Sequence, residues 1–181
     1  MSDVTTSDVT TSGLTRRTWI ALGLAEALFA VAYPAGVLLA LKVPAADASD
    51  GWADLAYFAT FLVAGAFFVV VGLPVAVHTV GRLTERYTYE WPRWWASVAH
   101  LGVGMMVGAL AASLVLAVQN IAVAALALAF VMPAGLAALG THLLMPLTMR
   151  HAWIRIASWV LAAVPVGLTL VFVASIGVRN L

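Results

Sequence analysis

The chain reads as an all-α integral membrane protein, a five-transmembrane-helix bundle with its N-terminus in the cytoplasm, its C-terminus outside and a tight hairpin between helices 3 and 4. Three observations predict this. First, the 181 residues are 64% hydrophobic and only 9% charged, with mean hydropathy +1.02. A soluble domain of this size cannot bury so much apolar surface, so the surrounding solvent is lipid. Second, the apolar residues fall into five unbroken runs. Unbroken runs are helices rather than barrel strands, which alternate, and a helix satisfies its own backbone groups in lipid. Third, positive charge gathers at alternate ends of those runs.

Residues 1–15 begin with the tandem repeat SDVTT-SDVTT. They are small and polar with nothing to bury, which predicts a disordered tail. Residues 16–181 form a single transmembrane domain with spans at about 18–43, 55–80, 94–118, 121–148 and 156–178. Each run is long enough to cross ~30 Å of hydrocarbon at ~1.5 Å per residue. Spans 2 and 3 are separated by GRLTERYTYEWPRWW, read as a polar, aromatic-rich loop. Spans 3 and 4 meet at Gln119-Asn120, a link so short that the two helices form an antiparallel hairpin. Span 4 contains Pro133 and Pro146, either of which could split or end it.

Arg16, Arg17, Arg82, Arg86, Arg93, Arg150 and Arg155 fall on one side, against Lys42 and Arg179 on the other. Cytoplasmic loops carry the basic excess, so the arginine side is cytoplasmic. Trp19, Trp91, Trp94, Trp95 and Trp153 mark the same inner boundary, and Trp52 the outer one. Arg16-Arg17-Thr18-Trp19-Ile20 also resembles a twin-arginine export signal, with Ala30-Val31-Ala32 as a cleavage site. The run continues past Ala32 to Leu41 and holds Glu26, which favours an uncleaved first span.

A net charge of +1 with no basic run excludes a nucleic-acid partner. The absence of cysteine excludes disulfides, thiolate metal sites and cysteine nucleophiles. Ser113, Ser158 and Ser175 stand alone, with no Gly-x-Ser-x-Gly and no Asp inside a span, so enzyme chemistry has no visible footing. The Arg, Ala, Val and Gly bias suggests a prokaryotic source. The expected partners are the bilayer itself and further copies of the chain or a larger membrane complex.

Four ionisable residues lie within the spans: Glu26, His78, His100 and His142. Counted from Arg17, Arg82, Arg93 and Arg150, all four sit ~6–14 Å from the inner boundary. His100 and His142 have their sequence midpoint at Ile121, so the hairpin sets them at nearly equal depth. Each stands in a column of small residues at four-residue spacing: Ala96, His100, Gly104, Gly108, Ala112 on span 3, and Ala134, Ala138, His142, Pro146 on span 4. Small residues at this spacing let helix backbones approach, so both histidines belong on helix–helix faces.

This inner-leaflet polar layer supports several readings. In the first, the chain is a small transport-type or accessory subunit. Glu26 then couples a proton or ion to His78, His100 or His142, and prolines break helices near the site. In a second, His100 and His142 are the axial pair of one b-type haem, with His78 as substitute. Metal binding by Glu26 and the histidines has suitable ligand types, but no two of them stand one turn apart on one helix. In the plainest reading the layer is purely structural, and its polar groups hydrogen-bond to hold the bundle in register.

Overall fold

The computed structural model describes residues 5–43, 51–119 and 121–179, with side chains described over 15–43, 56–119, 121–164 and at 167. Every element among these residues is helical. We number the helices α1 (Thr5–Ala40), α2 (residues 51–88), α3 (Arg93–Val118), α4 (Val123–Arg150) and α5 (Ala152–Arg179). Four stretches are long and apolar enough to cross a membrane: Thr15–Ala40, Ala56–Thr88, Arg93–Val118 and Val123–Arg150. The part of α5 with described side chains, Ala152–Val164, is a shorter apolar helix.

Two boundaries differ from those expected. α1 begins at Thr5, within the SDVTT repeats, and not at the start of the apolar run. Once the apolar part is helical, each added residue extends an existing helix and bears no nucleation cost. α2 likewise runs on to Thr88, so the expected loop between spans 2 and 3 shrinks to residues 89–92. It stops there because Pro92 has no amide hydrogen and disfavours helical geometry at Trp91. Pro92 has ψ 139°, and its carbonyl accepts from the Ala96 amide at 3.1 Å to start α3.

The other connections are tighter still. Gln119 is extended after α3, and its amide still donates to Val115 O at 2.9 Å. Between α4 and α5 the extended residue His151 alone breaks the helix, donating its amide to Leu147 O at 3.0 Å. Of the expected outer-side markers, Asp47 and Asp50 lie outside the described residues, as do the side chains of Trp52, Asp54 and Arg179.

Prolines do not split the helices; they widen them. π-helical turns occupy Phe68–Gly72, just before Leu73-Pro74, and Ala127–Val131, just before Met132-Pro133. A π turn takes up one extra residue, which relieves the clash of the proline ring with the carbonyl four residues back. A third π turn, Val77–Gly81, follows Pro74. Pro146 sits within regular α-helix, so α4 is neither split nor shortened by it.

α1 and α4 form the centre of the bundle. α1 touches α2, α4 and α5, while α4 touches α1, α3 and α5. The α3–α4 seam is a backbone-to-backbone contact: Ala96, Gly104, Gly108 and Ala112 are the buried residues of α3. A Cβ placed on Gly108 would lie 2.6 Å from Phe130 O and 2.8 Å from Val131 Cα, so no side chain fits between the helices there. In lipid this dispersion packing, rather than the hydrophobic effect, holds helices together. The opposite faces expose Val63, Phe67, Met106, Leu110, Leu114 and Leu136, an apolar belt suited to acyl chains.

At mid-bundle, Phe29, Phe61, Phe68 and Phe130 are nearly or fully buried around Tyr33. Phe29 stacks on Tyr33 at 5.0 Å and meets Phe68 at 5.0 Å, and Phe130 lies 5.5 Å from Tyr33 and 6.2 Å from Phe68. The Tyr33 hydroxyl donates to Phe61 O. Such pairs contribute about 0.5–1.5 kcal/mol each beyond their packing.

Candidate functional site: a cavity at the arginine end

Below this aromatic cluster, toward the arginines, α1, α2, α3 and α4 enclose a cavity of about 370 Å³. Its deepest walls are Leu73, Val107 and Ala134, and its middle is lined by Ala21, Ala25, Val103, Gly104, Ala137 and Ala138. Its rim is polar, formed by Arg17, Thr18, Arg82, Glu85, Tyr89 and Arg93. Small residues create the space: Ala21, Ala25, Gly104, Ala137 and Ala138 offer at most a methyl group to fill it.

His100 and His142 stand on the cavity wall, brought together by the α3–α4 hairpin. Their rings are stacked, with centroids 4.2 Å apart and planes inclined by 22°. Nδ1 of His100 lies 2.8 Å from Ala96 O. A carbonyl can only accept, so that nitrogen carries the hydrogen and donates. Next to His142 in the chain, the Thr141 hydroxyl is committed to Ala137 O at 2.7 Å.

The expected four-residue layer does not assemble as one site. His78 is outside the cavity: its Nδ1–H donates to Pro74 O at 3.0 Å and its ring meets Trp19 edge-on at 5.3 Å. That bond returns a donor to the backbone beside Pro74, within the π-helical stretch. Glu26 is 8% exposed on α1 but does not line the cavity, and no ion pair joins it to a histidine among the described residues. Depth counting orders these groups along the bundle axis but carries no information about where they sit around it. Glu26 and Ala25 are neighbours in sequence, and only Ala25 faces the cavity.

Rim residues that composition alone did not single out complete the site. Arg17 of α1 forms an ion pair with Glu85 of α2, both about half exposed, tying the two helices across the opening. Arg82 and Arg93 form no ion pair among the described residues. Thr84 and Thr88, both buried, bond back to Val80 O and Thr84 O and keep α2 helical past the span. The segment expected as a polar, aromatic-rich loop is thus helical up to Thr88, and the threonines four apart are the helical signal within it.

The stack does not suit a haem. An axial pair presents ring nitrogens to opposite faces of one iron, with the flat macrocycle between the rings. Here the ring faces themselves are in contact, and no plane can pass between them. No group of three His, Asp or Glu side chains suited to a metal ion occurs among the described residues. What remains is a cavity with few committed polar groups in its depth, two stacked imidazoles at mid-height and excess positive charge at its rim. Comparison of the chain with protein-family models, with curated proteins and with solved structures gives no match.

Proposed function

We propose that the chain is a transport-type or accessory membrane subunit that takes a small ligand into the cavity beside His100 and His142. The observation that carries this reading is the cavity itself. A bundle stabilised only by packing has no reason to leave about 370 Å³ unfilled between four helices. That volume is within the ~300–1,000 Å³ range of ligand pockets, at the size of a single small molecule. The five spans run N-in and C-out, which turns the rim of Arg17, Arg82 and Arg93 to the cytoplasm. The lining stops at Leu73, Val107 and Ala134, short of the aromatic cluster around Phe130, which favours a pocket over a through-channel.

Because the chain has no cysteine, a single Thr141→Cys variant gives a clean test. The exchange is close to isosteric, and Thr141 lines the cavity. A membrane-impermeant maleimide should label Cys at this position in inside-out vesicles and not in right-side-out ones. Failure to label from the cytoplasmic face in folded protein would overturn the reading.

A further inference from the structure

We infer that the ligand of this cavity is a single-chain anionic amphiphile, its carboxylate or phosphate head held at Arg82 and Arg93 and its apolar chain laid along the small-residue walls. The inference rests on the reading of the cavity as a ligand site and adds the chemical class of the ligand.

Three features of the site point the same way. The first is charge. Three arginines and one carboxylate, Glu85, line the rim, and Glu85 is engaged by Arg17. Arg82 and Arg93 are exposed and have no acidic partner among the described residues, so they offer donors to an anion entering from the membrane boundary.

The second is shape. On α3 the lining runs from Arg93 to Val107 and on α2 from Leu73 to Tyr89. At ~1.5 Å per residue these stretches are about 21 and 24 Å long. A cavity of about 370 Å³ drawn out over such a length is elongated, a shape suited to one extended chain.

The third is the polarity of the interior. Below the rim the walls are mainly alanine, glycine, valine and leucine, and the polar groups are few: the two imidazoles, with Nδ1 of His100 bonded to Ala96 O, and Thr141, bonded to Ala137 O. A sugar or other polyhydroxylated solute would find too few partners there for its many hydroxyls, since only the two imidazoles have nitrogens not bonded to their own helices. A hydrocarbon chain meets no such penalty, and its methylenes can pass the faces of the His100–His142 stack.

The experiment uses the full chain in nanodiscs of zwitterionic lipid, with cis-parinaric acid and the corresponding neutral alcohol as fluorescent probes. Wild type should bind the acid saturably, one per chain, and more tightly than the alcohol. The Arg82→Gln/Arg93→Gln double variant, altered only at exposed positions, should bind the acid at least tenfold more weakly and the alcohol unchanged. Val103→Trp, which fills the cavity, should abolish binding of both, with thermal melting confirming that it folds. A lysophospholipid with a phosphate monoester head displacing the probe better than a fatty acid would identify a lipid-phosphate head. Preference for the fatty acid would identify a carboxylate, and displacement by inorganic phosphate alone would show that the chain plays no part and overturn the amphiphile. Equal binding of acid and alcohol, insensitive to the arginine variant, would overturn the anionic head but keep the cavity. No binding of either probe, in protein whose Thr141→Cys variant is labelled from the cytoplasmic side, would overturn the ligand class and leave the cavity reading standing. Absence of that labelling would bring down the cavity reading itself.

Discussion

Gly104 and Gly102 are two residues apart on α3, yet their surroundings are opposite. A Cβ on Gly104 would lie 2.5 Å from Ala134 O and 2.6 Å from Ala138 Cβ, while one on Gly102 would meet nothing within 4 Å. The atom blocking Gly104 is backbone and cannot rotate away, so Gly104→Ala must push α3 from α4. The expected cost is about 1–3 kcal/mol, the usual range for overpacking. Gly102→Ala should be neutral or stabilising by up to about 1 kcal/mol, because alanine is the better helix former. Thermal melting of the two variants in one detergent checks this; equal melting temperatures would contradict the close seam. The column Ala96-His100-Gly104-Gly108-Ala112 could be read from sequence because four-residue spacing fixes a helix face. Short links fix depth as well, which is how His100 and His142 could be matched across the hairpin. The faces of Glu26 and His78 could not be read in the same way. Their helices are joined by a long connection, which leaves rotation about each helix axis unconstrained.

At the scale of the element, the four long apolar helices were legible because apolar runs and lipid leave the backbone no other option. The π turns were not. A proline shows that a donor is missing, and several helical distortions can accommodate that loss. In α4 the solution is a π turn at Ala127–Val131, which acts as a one-residue insertion ahead of Pro133. Its consequence is positional, because Phe130 within that turn is fully buried against Tyr33, Phe61 and Phe68. Deleting one residue from a regular α-helix rotates everything upstream by ~100°. Deleting Ala127 should instead collapse the π turn to α and keep both flanks in phase. The variant lacking Ala127 is therefore expected to remain monodisperse with a modestly lowered melting temperature, whereas deletion of Leu139, in the regular part of α4, should cause aggregation. Equal tolerance of the two deletions would argue against an inserted residue at this turn.

At the scale of the whole molecule, charge, aromatic residues and cavity share one end. Arg17, Arg82 and Arg93 line the cavity rim, and Arg16 and Arg155 line a groove between α1 and α5 at the same end. Trp19, Trp91, Trp94, Trp95 and Trp153 are all about half exposed or more. Exposed tryptophans beside arginines place this end at a membrane–water boundary, since indole rings favour the headgroup level. The orientation proposed above turns this end to the cytoplasm, and a count of five spans would send the residues after α5 to the opposite side. A periplasmic phosphatase fused after Leu181 should therefore be active, and the same enzyme inserted at Glu90, in the α2–α3 turn, should be silent. Activity at Glu90 with silence at Leu181 would turn the cavity mouth outward. Silence at both positions would mean that α5 does not cross, and the bundle would then be the four spans α1 to α4. In that case the proposed cytoplasmic side of the arginine rim would stand, because the positions that carry the charge bias, Arg16 through Arg93, precede α5 in the chain.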